Sequence, residues 1–141
     1  MKSRLPILAF VAIFTCSASI AAEQLPLKAG VYEIFTSAIV GNNAIGGAAR
    51  SRCIPDEDLA DPERVFVQEV PRGRQKQEQP SEWKIENGKI SYLITREDRA
   101  IAVNGTVSAE EFAVFRRTTI KTGGAGTTIL VEGKRTGDCN K

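Results

Sequence analysis

The chain has 141 residues, among them 19 Lys and Arg, 17 Asp and Glu, and no histidine. The lack of histidine removes the commonest general base and the commonest imidazole metal ligand. Lys2 and Arg4 are the only charges in the first 22 residues, so the remainder carries 17 bases and 17 acids; a formal charge of zero argues against general nucleic-acid binding, which needs a basic face.

Residues 1–22 read as a secretory signal peptide. Lys2 and Arg4 form the positive start, residues 5–14 are apolar apart from Pro6, and Ser17, Ala18, Ser19, Ala21 and Ala22 form a small-residue zone. Cleavage after Ala21 places Ser19 and Ala21 in the recognition positions; cleavage after Ala22 places the bulkier Ile20 upstream. The apolar run is about ten residues where a spanning helix needs roughly 20, and no later run is longer, so the sequence predicts no membrane span. Cys16 follows Phe14 and Thr15 rather than the very small residues that precede a lipid-anchored cysteine. The expected destination is periplasmic or secreted.

Residues 23–141 are enough for one small domain and too few for two. Its two cysteines, Cys53 and Cys139, are read as one disulfide, because an exported domain of this size matures in an oxidising compartment. Such a bond contributes about 4 kcal/mol on the chain-entropy argument. The rival reading is a pair of free thiols.

Alternating apolar residues and turn signals dominate, and no sustained helical period appears. Residues 31–40 predict a strand with two largely apolar faces, so cover is expected on each side. Residues 41–49 are rich in Gly, Asn and Ala and predict a flexible loop. Pro55 and the acids Asp56, Glu57 and Asp58 predict a helix start, which Pro62 limits to one or two turns. Residues 65–70 predict a short strand, and residues 71–81 an exposed loop containing Arg72, Arg74 and Lys76. Asn87-Gly88, between apolar runs at 83–86 and 89–95, predicts a type I′ hairpin. Further strands are predicted over 100–107, 111–121 and 127–135. Five strands joined by short turns imply antiparallel neighbours. The expected fold is all-β: a curved antiparallel meander forming an open barrel or sandwich, completed by 31–40, with one short helix against an open end.

Several segments together resemble a family of small bacterial envelope proteins, the one catalogued as domain of unknown function 3617. They are Leu25-Pro26-Leu27-Lys28-Ala29-Gly30-Val31-Tyr32-Glu33, then Cys53-Ile54-Pro55-Asp56-Glu57-Asp58-Leu59-Ala60, then the hairpin 87–95, then Gly137-Asp138-Cys139. Ala29 and Tyr32 stand where the family commonly has proline and tryptophan. The family's second cysteine pair is missing, with Arg96 near one of its places, which supports pairing of the two cysteines that remain. The resemblance implies compartment and a β-fold, and implies no reaction.

Motifs that mimic catalytic signatures lack their context. Ser81-Glu82-Trp83-Lys84 with Lys121-Thr122-Gly123 echoes boxes of penicillin-binding enzymes, but Ser81 enters a hairpin where that chemistry requires a helix start. Gly123-Gly124-Ala125-Gly126-Thr127-Thr128 and the glycines at 41–47 lack the lysine and following helix of a phosphate cradle. Asp56, Glu57, Asp58, Asp61 and Glu63 lack calcium-loop spacing. Asn104-Gly105-Thr106 is a glycosylation sequon only in a eukaryotic secretory path. No catalytic residue, metal ligand or cofactor is expected. Arg116 shares a strand face with Phe112, Val114 and Ile120, and an inward charge needs a partner or a ligand. Either the strand turns Arg116 outward, or Arg116 lies at the mouth of the sheet and meets an anionic head group. The leading functional expectation is a non-catalytic module binding a small apolar or amphipathic ligand. An envelope interaction or assembly protein, acting through an edge strand or the loop 71–81, comes second, and an enzyme third.

Overall fold

The computed structural model describes residues 24–66 and 81–140. Residues 1–22, where the sequence predicts a signal peptide, with Cys16 among them, and the basic residues Arg72, Arg74 and Lys76 lie outside the described residues. Seven antiparallel strands form one open sheet: β1 (Gly30–Val40), β2 (Asn43–Ile54), β3 (Ser81–Glu86), β4 (Lys89–Thr95), β5 (Arg99–Val107), β6 (Glu111–Ile120) and β7 (Thr127–Gly137). Their spatial order is β2-β1-β7-β6-β5-β4-β3, so β2 and β3 are the two edges and the sheet does not close. Strands β3 to β7 follow one another as neighbours, as the short turns require, and β1 pairs with β7 to complete the set. Asn87 and Gly88 have φ of 51° and 73°, the positive pair that a type I′ turn demands, and Glu86 and Lys89 face each other across it.

Two expectations need correction. Residues 43–49 are not a loop: they belong to β2, which hairpins onto β1 through a turn at Gly41-Asn42. Glycine and alanine have little intrinsic strand preference, and pairing with the apolar β1 overrides it. The register between β1 and β2 shifts between Thr36 and Ala38, opposite the Gly46-Gly47 pair. The second correction concerns residues 65 and 66, which are helical. A 3-10 turn (Asp56–Ala60) is followed by a one-turn helix, α1 (Pro62–Phe66). Pro62 therefore opens a helix as well as ending the previous turn, because its fixed φ suits the first helical position.

One face of the sheet holds the core. Tyr32 and Ile34 of β1, Val131 of β7, Phe112 and Val114 of β6, Ile101, Val103 and Val107 of β5, and Ile90, Tyr92 and Ile94 of β4 are all buried there. Their spacing is the period of two that the sequence displays. Helical Leu59, Val65 and Phe66, with Leu25 and Leu27 of the N-terminal segment, cover this inner face and fill it. The Phe66 ring meets Phe112 edge-on at 5.1 Å, and Tyr32 meets the same ring at 5.9 Å. Burying Phe66 contributes about 2 kcal/mol or more, which anchors α1 on the sheet. The N-terminal segment is tied by Leu25 N–H donating to the Leu59 carbonyl at 3.0 Å, and Lys28 N–H to that of Ala109 at 2.8 Å.

The opposite face of β1 is less covered than its apolar sequence suggests. Phe35 retains 40% of its surface, and Phe115 of β6, on the same face, retains 43%. Cys53 and Cys139 form a disulfide with Cα atoms 5.4 Å apart, which ties the edge strand β2 to the segment after β7.

Candidate functional site

Arg116 points inward. The β5–β6 and β6–β7 registers run through it without a shift, opposite Val103 on one side and Ile129 on the other. Its Nη1 donates to both carboxylate oxygens of Glu63, at 3.1 and 3.2 Å. The two side chains are 13% and 16% exposed. Glu63 sits in α1, where Asp61 Oδ1 accepts its backbone N–H at 3.0 Å and buried Val65 and Phe66 fix the helix against the sheet. The Tyr92 hydroxyl donates to the same Glu63 carboxylate at 2.6 Å. The anion that an inward guanidinium calls for is thus supplied within the chain. The sequence flagged the need for a partner at Arg116 but not its identity, because Glu63 is 53 residues away.

Burial pushes the Tyr92 hydroxyl well above its ordinary value of 10.0; the Glu63 carboxylate pushes the same way, and Arg116 opposes them. Burial also raises Tyr32, whose hydroxyl donates to the Lys28 carbonyl at 2.7 Å. The folded state therefore favours the neutral phenol of both. The unfolded chain releases these protons near pH 10, so stability falls as pH rises past that point. Tyr92, the more deeply buried hydroxyl, contributes a slope approaching about 1.4 kcal/mol per pH unit there. Tyr92→Phe should flatten the alkaline limb of a urea-midpoint against pH curve relative to the parent protein. Parallel limbs would show that Tyr92 is not held neutral.

Of the acids at 56–63, Asp58 and Asp61 serve the same fastening of the helices as Glu63. Asp58 pairs with Arg52 of β2 at 3.3 Å and Arg64 at 3.5 Å, and Asp61 pairs with Arg64 at 3.7 Å. Among the described residues no group of three His, Cys, Asp or Glu is arranged to hold a metal ion. Ser81 and Lys84 lie on the edge strand β3, whereas Lys121 follows β6 and donates to the Arg96 carbonyl at 2.6 Å, so the two boxes lie on separate elements. The glycines at 123–126 form the β6–β7 connection, and those at 46 and 47 lie in β2.

The outer face carries an open groove of about 460 Å³ across the four central strands, β1, β7, β6 and β5. Strand register explains its composition. Glu33, Lys134 and Glu111 stand side by side in one row, and Phe35, Glu132, Ala113 and Thr106 in the next. Leu130 and Phe115 are paired one row further on. Ser108 completes one end, and Gly133 together with Val107 and Phe112, whose side chains belong to the inner face, finish the lining. Lys134 pairs with Glu111 at 3.6 Å. Gly47 of β2 leaves the space in which the Phe35 ring lies: a Cβ built there overlaps the ring. These residues are scattered over more than 100 positions, and only the β1–β7 pairing brings the two ends together.

Compared with known proteins, the chain matches no family model, no curated protein and no solved structure.

Proposed function

We propose that the protein is an exported, non-catalytic binding module that carries a small amphipathic molecule in the groove on the outer face of its sheet. The observation that supports this most directly is the groove itself. Its volume of about 460 Å³ falls in the range of about 300–1,000 Å³ common for small-molecule sites. It is built on four adjacent strands, which position side chains more rigidly than loops do. The filled inner face moves the expected site from the mouth of a barrel to the opposite side of the sheet. Export rests on the leader-like residues 1–22, and the disulfide is compatible with it.

The test is native mass spectrometry of the mature protein purified from its own envelope without reducing agent. A discrete added mass that leaves on denaturation supports the carrier reading, and fragmentation identifies the molecule. The bare mass alone overturns that reading. A second reading, docking to a protein partner, is favoured by a different observation. Residues 43–51 of β2 are all exposed, and the outer edge of this strand has no neighbour in the sheet. An extended segment adding to that edge uses main-chain hydrogen bonds. A co-purifying protein in the same spectrum would select it.

A further inference from the structure

Resting on that carrier reading, we infer that the molecule held in the groove bears a cationic head group, an alkylammonium, seated between Glu33, Glu132 and the ring of Phe35. The groove has three carboxylates, Glu33, Glu111 and Glu132, and one ammonium, Lys134. Lys134 reaches Glu111, and among the described residues no ion pair reaches Glu33 or Glu132. Lys134 also stands opposite Glu33 across the β1–β7 ladder, so the groove carries an excess of two carboxylates over its single ammonium.

Their placement suits one cation. Glu132 stands directly opposite Phe35 across the β1–β7 ladder, and Glu33 precedes Phe35 by two residues on the same face. Neighbouring strands are about 4.8 Å apart and alternate residues of one strand about 7 Å apart, so the three residues stand close enough on one face to meet a single head group. An ammonium there gains from both carboxylates and from the negative face of the exposed ring. An anionic head group meets the excess of carboxylates instead, a like-charge arrangement that selects against it. The groove walls concentrate the field of these charges. Beyond the head group, Leu130 and Phe115 continue the outer face with apolar surface, which suits a hydrocarbon tail. Phe35 is held in place because Gly47 leaves room for its ring.

The experiment is calorimetric titration of the mature, oxidised protein with decylammonium and, separately, with decanoate, which share a tail and differ in charge. Decylammonium should bind roughly tenfold or more tightly than decanoate, and added salt should narrow the gap. The double variant Glu33→Gln, Glu132→Gln should remove most of that preference while its urea midpoint stays near that of the parent. Phe35→Leu keeps apolar bulk without the ring and should weaken decylammonium more than decanoate. Equal binding of the two probes, or a preference for decanoate, overturns the cationic assignment and leaves the carrier reading standing. Binding of neither overturns both. Unchanged preference in the double variant overturns the placement at Glu33 and Glu132.

Discussion

Glu63→Ala should lower the stability of the oxidised protein by about 3 kcal/mol, because it strands the Arg116 charge on the inner face without the carboxylate it is paired with. The loss is large against the roughly 5–15 kcal/mol by which small domains are stable. Three groups share one site here: the Glu63 carboxylate takes donors from both Arg116 and Tyr92. Removing one member leaves the others desolvated and unpaired, which costs more than the network is worth intact. The sharper expectation therefore concerns the combination. Glu63→Leu, Arg116→Leu and Tyr92→Phe together should recover most of what Glu63→Ala loses, since no unpaired polar group remains. Urea denaturation of the parent, Glu63→Ala and the triple variant measures both effects. A loss below about 1 kcal/mol for Glu63→Ala would place the pair with exposed surface ion pairs, and the helix would then be held mainly by the burial of Val65 and Phe66.

The same network explains how a five-residue helix stays folded. A helix this short is unstable alone. It persists because Val65 and Phe66 are buried, Glu63 is bonded to β6 and β4, and Arg64 and Asp58 link it to the preceding turn and to β2. Sequence pattern could not show this. Val65 and Phe66 are strand formers by preference, and the residues that make them helical lie on strands far along the chain.

Strands with a clear period of two were legible. Ile90, Tyr92 and Ile94, or Phe112 and Val114, alternate with less buried neighbours, and a half-buried strand leaves that signature. Asn87-Gly88 was legible because its turn needs two positive φ angles. β2 was not, since an edge strand of small residues buries little and shows no alternation. Arg116 was legible as a problem rather than as a solution: its inward register demanded a counter-charge, and only tertiary packing selects Glu63. The groove was invisible for another reason. Glu33, Glu111, Glu132 and Lys134 look like ordinary solvated charges in sequence, and their meaning depends on which strands are neighbours. The predicted cover on both faces of β1 fails at Phe35 because the helices and the N-terminal segment pack on the other side.

Replacing Cys53 and Cys139 with serine should have an effect of similar size to Glu63→Ala but of different origin. The bond links residues 86 apart in sequence, and a loop of that length contributes about 4 kcal/mol by restricting the unfolded chain. Most of the loss should therefore appear without any change in the folded sheet. Circular dichroism of the double serine variant under native conditions should match that of the parent, while its urea midpoint drops sharply. Reduction of the parent with dithiothreitol should bring its midpoint down to that of the variant. The local consequence is at β2, whose last residues are held to the chain end by this bond while residues 43–51 lie exposed at the edge. Hydrogen exchange should accelerate first in β2 when the bond is broken, and β5 and β6, in the middle of the sheet, should follow the global stability. Uniform acceleration across all strands would mean that the bond acts only through the unfolded chain. No drop in the midpoint would mean that the unfolded chain is already compact enough for the crosslink to add nothing.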